Sequence, residues 1–352
     1  VSAVVTERVA AARASVRGTR RTRQRREVLV SAVLAVLVVA AFVGSVLYGT
    51  RTVSLGEVVE AVGGGGTRGT YYLVVELRLP RVLTGLLVGL CFGLAGALFQ
   101  TLLRNPLASP DVIGISAGAS AAAVVASVAF GLSGAAMSLS ALGGALLAAT
   151  LIYLLAWRNG VSGQRLVLVG IGVAAALTSV VSHMMTRSSA VVAQEARIWL
   201  AGSLNGRTWE HVGTLLFAAA LLLPMTVAAA RSLGTLQLGD EAASALGTRV
   251  ERARLALIGC AVALTGVATA AAGPVGFVAF VSGPIARRLL GREAPALLPS
   301  ALIGALIVLV SDQVAQHALG SNQFPVGMVT SIIGAPYLLW LLTRANRRGR
   351  GG

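Results

Sequence analysis

The chain has 352 residues, a net charge of +16, 56% hydrophobic residues and only 12% charged ones. Soluble domains carry about a quarter charged residues, whereas several apolar runs here reach ~20 residues, the length that crosses a bilayer core as a helix; a soluble globular domain is excluded, and so is a β-barrel of short alternating segments. All 29 cations are arginine, which excludes a P-loop lysine and a Schiff-base lysine, so any ATP hydrolysis has to occur on a partner.

Residues 1–27 hold eight arginines, Arg8 to Arg26, and read as a disordered basic tail. The apolar run behind them is too long for a signal-peptide core and lacks a small-residue cleavage site, so it reads as a retained first span. The pattern predicts ten spans, at about 28–48, 82–103, 111–130, 135–157, 165–185, 210–230, 252–271, 276–290, 299–319 and 326–343. The third and eighth are short and rich in Gly, Ala and Ser, a composition suited to helices buried among other helices. With both termini in the cytoplasm, 22 arginines lie inside and seven outside, as the positive-inside rule requires. The fold class expected is an all-α polytopic membrane protein, one transmembrane domain over 28–345 with a further tail at 346–352. The arginines sit between apolar runs, where topology explains them, so no nucleic-acid partner is inferred from the pI of 11.6.

Just before span two the chain reads ELRLPR, 76–81. Arg78 and Arg81 are three apart and would share a side; they either snorkel at the interface or form a docking pair for carboxylates on an external protein. Within span two, Gly85, Gly89, Gly93 and Gly96 make a smooth face for close helix packing. The RNPLASPD stretch, 104–111, carries Asn105 and two prolines, Pro106 and Pro110, that end one helix and constrain the next. Ser109 or Asp111 is positioned to cap span three. The following GISAGAS, 114–120, with Gly114, Ser116 and Gly118, either packs tightly or lines a pathway.

TLQLGDEAASALGTRVERAR, 235–254, is a polar island between apolar runs. Leu238, Ala242, Ala245 and Leu246 fall on one face of a short helix. Asp240 and Glu241 complement its amino-terminal dipole, and Gly247 is placed to end it. An acidic helix start is a poor partner for anionic headgroups, which favours a protein partner over the lipid surface. Asp312 is an acid well inside a span, where a carboxylate is costly; it is either a proton site of a secondary transporter or a structural hydrogen-bond acceptor. Pro-Val-Gly occurs at 274–276 and 325–327, each time at the external end of a span. His183, His211 and His317 are scattered, and Cys91 and Cys260 lie inside apolar runs, so neither a metal site, a disulfide nor a catalytic constellation is indicated.

The run LRLPRVLTGLLVGLCFGLAGALFQTLLRNPLASPDVIGISAGAS, 77–120, resembles the permease subunits of ABC importers for iron-siderophores, haem and cobalamin, the FecCD type. LGDEAASALG, GPVGFVAFVSGPIARRLLG, LLPSALIGALIVLVSDQVA and FPVGMVTSIIGAPYLLWLL continue the likeness in the same order, so that it covers roughly 28–345. The resemblance implies a cobalamin-importer-like, type II fold of ten spans in a bacterial plasma membrane. It implies a second permease subunit around a central pathway, two cytoplasmic ATP-binding subunits, and an extracytoplasmic siderophore-binding protein. The cargo is then a ferric-siderophore, with no resident cofactor or metal and no catalysis on this chain. By the same likeness Leu238, Gly239, Asp240, Glu241, Ala242, Ala245, Leu246 and Gly247 form the helix that sits in the ATPase cleft, and Arg78 and Arg81 receive acidic residues of the binding protein. Asp312 matches an Ala-Asp position of the family, which weakens the proton-site reading. The family's ADxxAR arginine is replaced here by Gln316. Segments 282–287, 323–327 and 197–212 look more like the ferric-enterobactin branch, which implies a catecholate-type siderophore and a pairing of two different permeases. A pathway wide enough for such cargo would be lined by small, weakly polar residues such as those at 114–120.

Overall fold

The computed structural model describes residues 2–49, 51–158, 163–291, 295–317 and 324–349, in which helices are joined by turns and no strand is present among the described residues. Helix α1 (Ser2–Leu47) already includes the basic segment. The sequence reading expects disorder there; the segment is helical because Ala and Arg are strong helix formers and it holds a single glycine and no proline. Helices α2 (Leu55–Val62) and α3 (Arg68–Tyr71) follow, and a π-helical segment (Tyr72–Arg78) leads directly into α4 (Leu79–Leu102). Next come α5 (Ile115–Phe130), α6 (Gly134–Ala156), α7 (Gly163–Thr186), α8 (Ala190–Leu200) and α9 (Trp209–Ala230). Two short helices, α10 (Leu233–Leu236) and α11 (Asp240–Ala245), precede α12 (Val250–Ala272), α13 (Val278–Leu290), α14 (Leu297–His317) and α15 (Val326–Gly349). Arg292, Gln323 and Arg350, which enter the sequence reading, lie outside the described residues.

Every predicted span falls on one of these helices. Among the described residues, seven helical stretches are long and apolar enough to cross a membrane, while α5, α13 and the apolar part of α15 are shorter. Two of the short ones start late for a local reason. Helix α5 begins at Ile115 and not at 111, because Gly114 adopts φ 92° and closes a separate turn over 109–114. Ser109 caps that turn, accepting from the Val112 amide at 3.3 Å, and does not cap α5. Helix α13 begins after Phe277, which holds φ 66°, an uncommon conformation for a bulky residue.

Spans of similar hydropathy differ sharply in burial. The most apolar stretches of α4 and α12 are 78% and 72% buried, against 11% and 17% for α7 and α9, so the first two form the centre and the second two the rim. Lipid tails are as apolar as leucine, so contact between spans depends on how closely their backbones approach. The glycine face of α4 supplies that approach. A Cβ on Gly89 or Gly93 would strike the α14 backbone at Ser300, Gly304 and Ala305, one on Gly96 would strike Ala279 of α13, and one on Gly85 would meet the Leu204 side chain. Gly118 of α5 and Gly144 of α6 close on each other in the same way. Phe92, Leu98, Phe99, Leu257 and Leu264 fill the space between these contacts and are fully buried.

Candidate functional site

At one end of the bundle the polar island forms a shoulder and a projection. The shoulder is α10, whose Leu233 and Leu236 are buried in the main core. The projection is α11, two residues shorter at each end than the predicted 238–247 helix. Gly239 precedes it at φ 112°, and Asp240 and Glu241 occupy its first turn. At its other end the Gly247 amide reaches the Ser244 carbonyl and the Thr248 amide reaches the Ala243 carbonyl, both at 2.9 Å. With Gly247 at φ 82° this is a complete Schellman stop, the ending that glycine favours. Ala243 is buried, whereas Ala242, Ala245, Leu238 and Leu246 face outward, the two leucines more than 60% exposed. The Arg254 guanidinium donates to both oxygens of Asp240 at 3.0 and 3.1 Å, tying α11 to the start of α12. Thr248 donates to Thr235 at 2.9 Å. Beside the projection lies an open concavity of about 500 Å³ lined by Ser244, Gly247, Thr248, Arg249, Glu251 and Arg252. The segment therefore offers a short helix held at both ends and flanked by two exposed leucines, Leu238 and Leu246.

The remaining residues at this end form a collar around the last turn of α13. Arg26 of α1 donates to the Leu289 carbonyl through Nε and Nη2, at 3.2 and 3.0 Å. Arg287 donates to Gln100 of α4 at 2.8 Å, and Gln100 in turn donates to the Phe280 carbonyl at 2.8 Å. Arg288 lies 4.0 Å from the centre of the Trp340 ring. Nearby, Arg165 donates to the Ala156 and Arg158 carbonyls at the end of α6. In the loop after α4, the Asn105 side chain accepts from the Leu107 amide at 2.9 Å, and Pro106 is exposed. Within this chain the stretch 114–120 is closely packed. Gly114 lies against Gly170 and Ala174 of α7, Gly118 against α6, and Ser116 is buried and donates to Asp111.

At the opposite end Arg78 and Arg81 diverge, although their spacing predicts a shared side. Arg78 is buried and reaches back to α1, donating through Nη1 to the Val46 and Leu47 carbonyls at 2.7 and 3.1 Å and through Nη2 to the Arg51 carbonyl. It thus satisfies carbonyls left open at a helix C-terminus. Arg81 points to α14 and forms a two-pronged ion pair with Asp312, Nε to Oδ2 and Nη2 to Oδ1, both at 2.9 Å. Gln316 donates to Asp312 Oδ2 at 2.8 Å. The side chains of Arg81 and Asp312 are only 13% and 5% exposed. Both oxygens of Asp312 are therefore engaged as hydrogen-bond acceptors.

Several residues at this end carry no sequence signal strong enough to single them out. Trp209 donates its indole N–H to the Val75 carbonyl in the π-helical segment at 2.9 Å. The two Pro-Val-Gly breaks also converge. The Gly327 amide donates to the Gly202 carbonyl at 3.1 Å, and a Cβ on Gly202 or Gly327 would meet Pro274. Gly202 and Gly273, at φ 71° and 74°, admit this approach where other residues would be strained. The repeated motif is the available sign that these loops meet.

Comparison with known proteins extends the geometry. The profile of the FecCD transport family matches residues 29–344. The chain is 41% identical to the ferric enterobactin transport system permease protein FepG of Escherichia coli K12, over 90% of this chain and 97% of that one. It is 37% identical to the iron(3+)-hydroxamate import system permease protein FhuG of Bacillus subtilis 168, over 93% of this chain and all of the relative. Among solved structures, a metal-chelate type ABC transporter in an inward-facing conformation matches with a TM-score of 0.76 and 26% identity, covering 89% of this chain and 98% of the other.

Proposed function

The chain belongs to the FecCD transport family, and on that premise we propose that it carries a ferric-siderophore of the catecholate type across the membrane. It is a multi-pass permease subunit of a metal-chelate ABC importer. ATP is hydrolysed on cytoplasmic partner subunits, cargo arrives on an extracytoplasmic binding protein, and the second permease is a homologous but different chain. Residues 28–345 act as one permease domain between two tails in the cytoplasm, which puts α10 and α11 on the cytoplasmic side and Arg81 on the outer side. The observation that carries the reading is the near full-length likeness to FepG, joined to a short helix flanked by two exposed leucines. Leu238 and Leu246 enter the ATPase cleft, with Asp240, Glu241, Ala242 and Ala245 at its rim and Gly239 and Gly247 setting the turns.

On the outer side Arg78 holds the scaffold, and Arg81, held by Asp312, is the arginine left to meet a partner carboxylate. The glycines of α4, Gly114 and Gly118 keep the bundle rigid, so a change of state moves helices as bodies. Co-purification tests the coupling role. The wild-type chain should retain the ATPase subunit, and the Asp240→Arg, Leu246→Arg double variant should lose it while remaining folded; retention by the variant rules the segment out. Uptake of radio-iron delivered as a ferric catecholate or as a ferric trihydroxamate tests the cargo, and preference for the hydroxamate rejects the catecholate assignment.

A further inference from the structure

The end of α4 contains an exception to the usual chemistry of helix stops. The Asn105 amide reaches the Gln100 carbonyl at 3.1 Å and the Arg104 amide reaches the Thr101 carbonyl at 3.4 Å. This is again a Schellman stop, and the residue at its left-handed position is Arg104, at φ 49°. Glycine is the usual occupant, because a Cβ is strained there. The same motif at the end of α11 does use glycine, at Gly247. The arginine side chain has a use that glycine lacks: its Nη2 donates to the Leu236 carbonyl, the last residue of α10.

We infer that Arg104 is a positioning residue that transmits movement of the α10–α11 segment to α4. The inference rests on the ATPase-coupling role proposed for that segment. Three observations define the path. Helix α11 is tied to α12 through Asp240 and Arg254. Helix α10 ends on the carbonyl that Arg104 holds. Helix α4 meets α14 and α13 through glycines with backbone against backbone, a contact that moves as one body. A displacement of the shoulder thus reaches the centre of the bundle through a charge-assisted hydrogen bond. The left-handed backbone at residue 104 thus coincides with a side chain that reaches the end of α10. A hydrogen bond to a charged group biases an equilibrium by a factor of about ten or more.

The variant Arg104→Gly separates this role from folding, since glycine relieves the strain while removing the guanidinium. The assay uses the full importer, reconstituted in proteoliposomes with its ATPase and binding protein, and reads ferric-siderophore taken up per ATP hydrolysed. Arg104→Gly should fold with unchanged or higher thermal stability and keep its ATPase subunit, yet transport about tenfold less cargo per ATP. Arg104→Lys, which keeps a donor, should recover part of the ratio. Arg104→Asn, which also tolerates the left-handed turn, serves as a second test of the same loss. An unchanged ratio in Arg104→Gly overturns the inference, as does loss of the ATPase subunit from it. Misfolding of both the glycine and asparagine variants overturns it too, by making the residue structural. If the wild-type chain itself neither binds an ATPase nor stimulates it, the coupling reading fails, and that result is distinct from any of these.

Discussion

Removing one member of the Arg81–Asp312 pair should cost far more than removing both. The paired nitrogens and oxygens lie 2.9 Å apart, and for unit charges about 4 Å apart the attraction is about 4 kcal/mol at an effective dielectric constant near 20. Taking both groups out of water costs a comparable amount, so the intact pair is close to break-even against a well-packed apolar pair. Either single change leaves the other charge without its partner at a site that is at most 13% exposed. Asp312→Leu and Arg81→Met should therefore each destabilise by about 3–5 kcal/mol. The double variant should lie within ~1–2 kcal/mol of the wild type, because the penalty of an orphaned charge is gone. Gln316 loses its acceptor in every variant that lacks Asp312 and adds a small common cost. Equilibrium unfolding of the purified subunit in mixed micelles, for the wild type and all three variants, measures the cycle. Additive losses, with each single change under about 1 kcal/mol, would refute the argument and mark the pair as a solvated surface contact.

Three further outcomes follow from the geometry. Gly89→Ala should cost about 1–3 kcal/mol by overpacking α4 against the α14 backbone. Gly143→Ala in α6, where a Cβ meets nothing within 4 Å, should be neutral or stabilising; thermal unfolding in micelles compares the two. Arg78→Lys should destabilise by about 2 kcal/mol, since one ammonium cannot span the carbonyls of Val46, Leu47 and Arg51 as the planar fork does. Limited proteolysis near the end of α1 should be faster in that variant. At α2 the Ser54 amide and hydroxyl donate to Glu57 and hold its carboxyl below the ordinary value of 4.5. Because the folded value is the lowered one, the stabilisation is full above the unfolded value and is lost as pH falls through the folded value. Hydrogen exchange of the α2 amides, corrected for intrinsic rates, should show protection falling in acid for the wild type and flat with pH for Glu57→Gln.

The spans were legible because burial in lipid requires long apolar runs, and that requirement acts locally on the chain. The stop at Gly247 and the acidic start at Asp240 were legible for the same reason, since caps involve neighbours a few residues apart. Arg78 and Arg81 were not legible in this way. Their spacing predicts a common side, but Arg78 ends a π-helical segment and its partners lie at and just beyond the end of α1, whereas the partner of Arg81 lies 231 residues away. The π-helical segment itself has no distinctive composition. The glycines of α4 announced close packing without naming the partner helix, because a missing side chain carries no information about what fills its place. For 114–120 small residues serve packing and pathway equally, and the sequence does not name the neighbours Gly144, Gly170 and Ala174 against which the stretch packs.

Four arginines, Arg26, Arg78, Arg104 and Arg165, each donate to carbonyls at the last turn of a helix other than their own. The insertion machinery that sets topology reads arginine and lysine alike, as positive charge. The finished bundle does not, because a guanidinium spreads several donors over a plane and an ammonium concentrates them at a point. A chain with lysine at these four positions would thread the bilayer in the same orientation and then hold its helices together less firmly. Insertion and assembly thus read the same residues by different properties, and the exclusive use of arginine serves both.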